Sequence, residues 1–322
     1  VAMWRAGEPR MTWARACMAW PRNLVLLAFL SANGTAADTP HVVTSIAPVQ
    51  AFATGVTQGV TEPTLLLRGA GSPHDNQLRP SDASALADAD IVFWVGPELE
   101  RFLVRPLESL ARSAAVVSLL EADGIVKLPA RAHEIWHVEA HSELSQSSNI
   151  TDPHIWLSPA NARAIVTAMV NTLTEIDPAH IDVYHKNRDK LHVQLWELEL
   201  DLSTTLAPVR NIPFVVLHDA YQYLEHAFGL RAVSAVTVGP VRRPGIQHLQ
   251  NLTHQLDRVG APCLFGEIGV VSPIATQLTR DWGLRSGQLD PLGIARQEGP
   301  EGYLAMMRAN AVALVACLSK AP

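Results

Sequence analysis

Residues 178–207 read PAHIDVYHKNRDKLHVQLWELELDLSTTLA, and neither Gly nor Pro interrupts them after Pro178. Without a breaker, a stretch rich in Leu, Glu and Lys propagates as helix, and Pro178, following Asp177, suits a first helical position. Ile181, Val183, Tyr184, Leu191, Val193, Leu195, Trp196, Leu198 and Leu200 supply the apolar positions of a packed helix. Thirty residues at 1.5 Å each would span ~45 Å, the scale of a whole domain. The stretch predicts one stiff rod, with a pair of shorter helices broken near Asn187 as the alternative.

Both flanks of the rod carry the same pattern. Ahead of it, short β-rich runs stand at 41–46, 64–67, 91–95 and 115–119, with helical stretches such as Pro80 to Ala89 between them. Behind it the runs return at 214–217, 232–236, 263–265 and 285–289. Near-continuous apolar runs alternating with helices read as parallel strands covered on both faces. The expected fold class is therefore α/β: two lobes with mostly parallel four-stranded sheets, joined by one long linking helix. The expected boundaries are a signal peptide over 1–37, a first lobe over 38–177 with a His/Glu loop near 131–150, the linking helix over 178–207 and a second lobe over 208–322.

The leader reading rests on Arg15 and Arg22 ahead of the apolar run Leu24 to Leu30, followed by small residues ending Thr35-Ala36-Ala37. A positive region, a short apolar core and a small-x-small site mark a secretory signal, and the run is too short to span a bilayer. Cleavage is expected after Ala37, and Met11 is the candidate start. Loss of the leader removes four Arg and one Glu, taking the net charge from −6 to −9. No cysteine stands just behind the apolar run, so no lipid anchor is expected, and the destination is the periplasm. Cys263 and Cys317 then remain as an even pair in an oxidising compartment, where a disulfide is the expected state. An acidic chain without a Lys/Arg run lacks the footprint of a nucleic-acid binder, and a monomer is expected.

Thirteen histidines against three cysteines point away from a thiolate site and toward a His/carboxylate one. His133-Glu134-Ile135-Trp136-His137 fits the H-E-x-x-H zinc-protease motif. His141, Glu139 and Glu143 continue it into the polar run 142–149, so a surface His/Glu loop explains the same letters. His133, His137 and His141 are secondary metal candidates on that loop. His74, after the second run, His154, before a helix, and His218 and Asp290, at strand ends, are stronger candidates. All four fit the rule that open parallel sheets bind ligands outside the carboxyl ends of their strands. No phosphate loop or nucleophile elbow occurs, so no catalytic residue is proposed.

Six linked segments carry a further argument: GSPHDNQLRPSD (71–82), ADIVFWVGPELERF (89–102), DPHIWLSP (152–159), VVLHDAYQYLEHAFGL (215–230), PCLFGE (262–267) and QLDPLG (288–293). In this order they resemble the solute-binding proteins of zinc ABC transporters, the ZnuA type, over residues 41–318. The resemblance implies metal ligation by His74, His154 and His218, a disulfide between Cys263 and Cys317, and capture of Zn²⁺ between the lobes for delivery to a membrane permease with its ATPase. It implies no enzymatic activity. Manganese-type members usually place a Glu where His218 stands, and they ligate through the Asp of the segment holding Asp290. Some zinc members place a Glu beside the first His, where this chain has Pro73. The fourth ligand is accordingly expected from Asp290, with Glu267 or water as the alternatives. The same scaffold carrying Mn²⁺ or Fe²⁺ and a secreted H-E-x-x-H protease are the competing functions.

Overall fold

A computed structural model describes residues 39–69, 71–131, 150–237, 245–294 and 299–319. The leader at 1–37 and the loop histidines His133, His137 and His141 lie outside the described residues.

The first sheet contains β1 (Val42–Thr44), β2 (Thr64–Leu65), β3 (Ile91–Trp94) and β4 (Ala115–Ser118), all parallel, in the order β2-β1-β3-β4. The second contains β5 (Pro213–His218), β6 (Arg231–Thr237), β7 (Cys263–Glu267) and β8 (Arg285–Leu289), again all parallel, in the equivalent order β6-β5-β7-β8. In each lobe the chain leaves the first strand to one side and returns on the other. That creates a crevice between β1 and β3, and another between β5 and β7, where ligands of open parallel sheets lodge.

Alternation along the strands divides their side chains between layers. Val42, Ile91 and Phe93 face a core shared with α1 (Ala47–Thr57), α4 (Pro159–Ile176) and α5 (Ile181–Leu206), whereas Val43, Val92 and Trp94 face α2 (Pro80–Ala87) and α3 (Val104–Leu110). Phe214 and Val216 of β5 enter the same shared core, which also takes Met307 and Leu314 of α9 (Pro300–Leu318). Val215 and Leu217 point the other way, toward Leu252 and Leu256 of α7 (Ile246–Val259) and Leu278 of α8 (Pro273–Asp281). One continuous core thus joins the inner faces of both sheets.

The rod is a single helix of 26 residues, flanked by a 3₁₀ turn at each end. It does not break at Asn187. That side chain donates from Nδ2 to the carbonyls of Val56 and Gln58 (2.8 and 2.9 Å), completing the C-terminal end of α1. The buried stripe is Tyr184, Leu191, Leu195, Leu198, Leu202 and Leu206, spaced to keep one helical face inward. Val193, Trp196 and Leu200, expected inside, are more than half exposed, and Ile181 is 39% exposed. They alternate with the buried leucines along the chain but fall on the outer face. Cys263 of β7 and Cys317 of α9 form a disulfide.

Candidate metal centre

Three segments far apart in sequence converge on one cavity. His218 is the last residue of β5, so the strand itself sets its position at the β5/β7 crevice. His154 precedes a 3₁₀ turn, Ile155–Leu157, which leads into α4 through Ser158, whose hydroxyl accepts from the amide of Asn161 (3.3 Å). His74 lies nine residues beyond β2 in a loop, within a turn where Asp75 N bonds Ser72 O (3.3 Å) and His74 N bonds Ser72 Oγ (3.3 Å). The strand-end expectation therefore applies directly to His218 and Asp290. His74 and His154 reach the same place on loops.

One nitrogen from each of these three rings lies within 4.8 Å of the others. The ring centroids are 5.1 Å apart for His154 and His218, and 5.4 Å for each pair involving His74. His154 and His218 are buried. Nδ1 of His154 donates to Asp152 Oδ1 (2.7 Å), and Nδ1 of His218 donates to Glu267 Oε1 (3.0 Å), since an ionised carboxylate only accepts. Each pair leaves Nε2 free to bind a cation and fixes the ring that presents it. Nε2 of His74 is buried with no hydrogen-bond partner, the condition of a donor atom that meets its partner only when a ligand arrives.

The electrostatics divide the trio. Burial, then the nearness of His154 and His218, pushes the His74 imidazole down to about 2, so it stays neutral. Burial pulls His218 the same way, but the Glu267 carboxylate, with Asp219 and Asp152, outweighs it and holds His218 above the ordinary value. A cavity of about 50 Å³ opens onto the three rings, walled by Trp156, Glu267, Pro291 and Leu292 among others. That is room for an ion and a water or two. Three imidazole donors converging on such a space suit a borderline dication such as Zn²⁺ better than an oxygen-seeking one.

Asp290 is not brought into this group. Its Oδ1 accepts from the amides of Leu292, Gly293 and Ile294 (3.2, 2.7 and 3.1 Å), and its backbone exchanges two 2.8 Å bonds with the Asn310 side chain. A carboxylate at a strand end can anchor the following loop as readily as bind a metal, and here the loop holds it. Glu267 does line the cavity, as the partner of His218. The site residue that sequence reasoning passed over is Asp152. Its place two residues before His154, in Asp-Pro-His, was the available signal, because an Asx side chain commonly bonds the backbone two residues on. Asp152 Oδ1 does so at 3.0 Å.

A family model described as zinc-uptake complex component A, periplasmic, matches residues 42–317. The high-affinity zinc uptake system protein ZnuA of Brucella suis biovar 1 (strain 1330) is 34% identical over 321 residues, covering 91% of this chain and 96% of that protein. A crystal structure of a 138-173 ZnuA deletion mutant with zinc bound superposes with a TM-score of 0.74 at 23% identity, over 88% of this chain and 100% of that one. FpvC from Pseudomonas aeruginosa, in complex with Mn²⁺, gives 0.73 at 20% identity, over 87% and 98%. At these identities the two structures speak for the fold alone.

Proposed function

This chain belongs to the periplasmic zinc-uptake complex component A family, and from that premise we propose that it captures Zn²⁺ on His74, His154 and His218 and delivers it to an ABC permease driven by its ATPase. The observation that carries the reading is the convergence of three imidazole nitrogens within 4.8 Å, two of them oriented by carboxylates. No bond is made or broken in this task, so the residues need only bind, orient and release. Asp152 and Glu267 hold their rings with Nε2 inward and place negative charge behind them, which offsets part of the dication's charge. Zinc takes four ligands. Water fills the fourth place, because Asp290 serves its own loop and Glu267 serves His218. The protein works in the periplasm, exported by the 1–37 leader and freed by cleavage after Ala37.

The test is a zinc titration in competition with a chelator. The protein should bind one equivalent tightly, and His74→Ala, His154→Ala or His218→Ala should each weaken binding strongly. His133→Ala and His137→Ala should not. Equal losses from the loop and cleft variants, or tight binding that survives all three cleft substitutions, would refute the reading. Mn²⁺ bound more tightly than Zn²⁺ would move the function to the manganese alternative.

A further inference from the structure

The ligand segments are tied together by a polar bridge whose centre is Arg131. Residues 128–131 and 150–152 run antiparallel, with Pro129 paired to Thr151, Ala130 N bonded to Ile150 O (2.8 Å) and Asp152 N bonded to Leu128 O (2.9 Å). The second of these stretches leads straight to His154 through Asp152. Opposite stands the turn that follows His218 at the end of β5 and opens α6 (Gln222–Phe228). Tyr223 of α6 joins the two sides: its hydroxyl accepts from Leu128 N (3.0 Å) and donates to Asp152 O (2.8 Å). The Gln222 amide, turned so that its nitrogen faces these acceptors, donates to Asp152 Oδ2 (3.0 Å) and Pro129 O (3.3 Å).

Arg131 closes the same seam with a fork. Nη1 donates to Asp219 Oδ1 (3.1 Å), the residue next to His218, and Nη2 donates to Glu225 Oε2 (2.9 Å). Side-chain exposures are 18% for Arg131, 14% for Asp219 and 8% for Glu225, so the pairs are largely withdrawn from water. A guanidinium suits this task because its donors are held in a rigid plane, whereas an ammonium is a single point of charge. Without the guanidinium the two carboxylates would repel, and the turn that follows His218 would lose this tie to the strand pair that leads through Asp152 to His154.

We propose that Arg131 is a positioning residue for the cation: through Asp219 and Glu225 it fixes the spacing between His154 and His218. The inference rests on the proposed zinc function and goes beyond it, because the Arg131 side chain acts through Asp219 and Glu225 rather than as a ligand. Loss of the fork should loosen the spacing of the pair while leaving each imidazole bonded to its own carboxylate.

The experiment uses the full chain with Zn²⁺ affinity by chelator competition, the visible absorption of the Co²⁺-loaded protein and the metal-free melting temperature. Arg131→Gln should weaken zinc by about tenfold, the lower end of what losing an outer partner of a metal ligand costs. Its tetrahedral Co²⁺ bands should lose intensity. Arg131→Lys, which keeps the charge without the fork, should recover only part of the affinity. In an Asp219→Asn/Glu225→Gln background, adding Arg131→Gln should cost nothing further, since residues acting through each other are not additive. A lowered melting temperature with unchanged affinity and Co²⁺ spectrum would make Arg131 merely structural and overturn the proposal, as would a fully additive loss in the double background. Should Arg131→Gln fail to fold, the comparison of Arg131→Lys with the wild type decides: equal affinity and spectra refute the fork. If wild-type zinc ignores His74, His154 and His218, the proposed function fails instead.

Discussion

His154 and His218 meet the site with one ring nitrogen already committed to a carboxylate, and His74 meets it with none. This asymmetry has consequences for pH. In the folded protein His74 is held near 2, whereas in the unfolded chain it takes up a proton near 6.5. Below about 6.5 the unfolded state therefore binds the extra proton, and metal-free stability falls with falling pH. His218 has the opposite sign. Its raised value contributes stability below the unfolded pKa, and that contribution is lost as pH rises through the folded one. Metal-free His74→Asn should accordingly show a shallower fall in melting temperature below about pH 6.5 than the wild type; parallel slopes would exclude the burial penalty on His74. Protons also compete with zinc at His218, so affinity should begin to drop from above the ordinary histidine value.

Asp290 offers a second test at this scale. Removing an acceptor shared by three part-buried amides strands those donors, so Asp290→Ala should lower metal-free stability by about 1–3 kcal/mol. Asp290→Asn, which keeps an acceptor oxygen, should leave zinc affinity close to wild type. A loss from Asp290→Asn as large as that from His218→Ala would return Asp290 to the ligand set. The histidines were legible because each stands in a short, distinctive segment. The role of Asp290 was not, because a loop anchor and a ligand occupy the same strand-end position. The link between His218 and Glu267 crosses 49 residues, and no local spacing records such a pairing.

Among the elements, α5 shows what chain pattern can and cannot convey. Its continuity was legible in the absence of Gly and Pro between 179 and 207. Its inner face was not fully legible, because Leu191, Val193, Leu195, Leu198, Leu200 and Leu202 look alike as letters while only four of them turn inward. The stripe decides the energetics. Leu198 is fully buried and Leu200 is 68% exposed. Leu198→Ala should therefore cost about 2–5 kcal/mol, while Leu200→Ala should stay within about 0.5 kcal/mol. Chemical denaturation of the two variants checks this, and equal costs would place the wrong face of α5 against the core. Asn187 carries a related lesson: an amide that resembles a helix breaker in sequence instead ends a neighbouring helix.

For the molecule as a whole, the two sheets repeat one strand order and share one continuous hydrophobic core. The alternation of strands and helices made both sheets legible, but the core that unites them was not, because it depends on which helices the rod brings together. The disulfide ties β7, which carries Glu267, to the C-terminal helix α9. The bridge spans 54 positions, so the chain-entropy model assigns it about 4 kcal/mol. Reduction should lower the melting temperature while zinc binding persists at temperatures where the lobe stays folded. Loss of zinc binding from reduced but folded protein would make a sulfur part of the site.

On the proposed function, three imidazoles and no sulfur hold the ion. Zinc K-edge X-ray absorption on protein loaded with one equivalent measures this directly. The expected spectrum has nitrogen or oxygen neighbours at ~2.0–2.1 Å and outer-shell scattering that fits three imidazole rings, reduced to two in His74→Ala. A sulfur shell at ~2.3 Å, or a spectrum unchanged by His74→Ala, would contradict it.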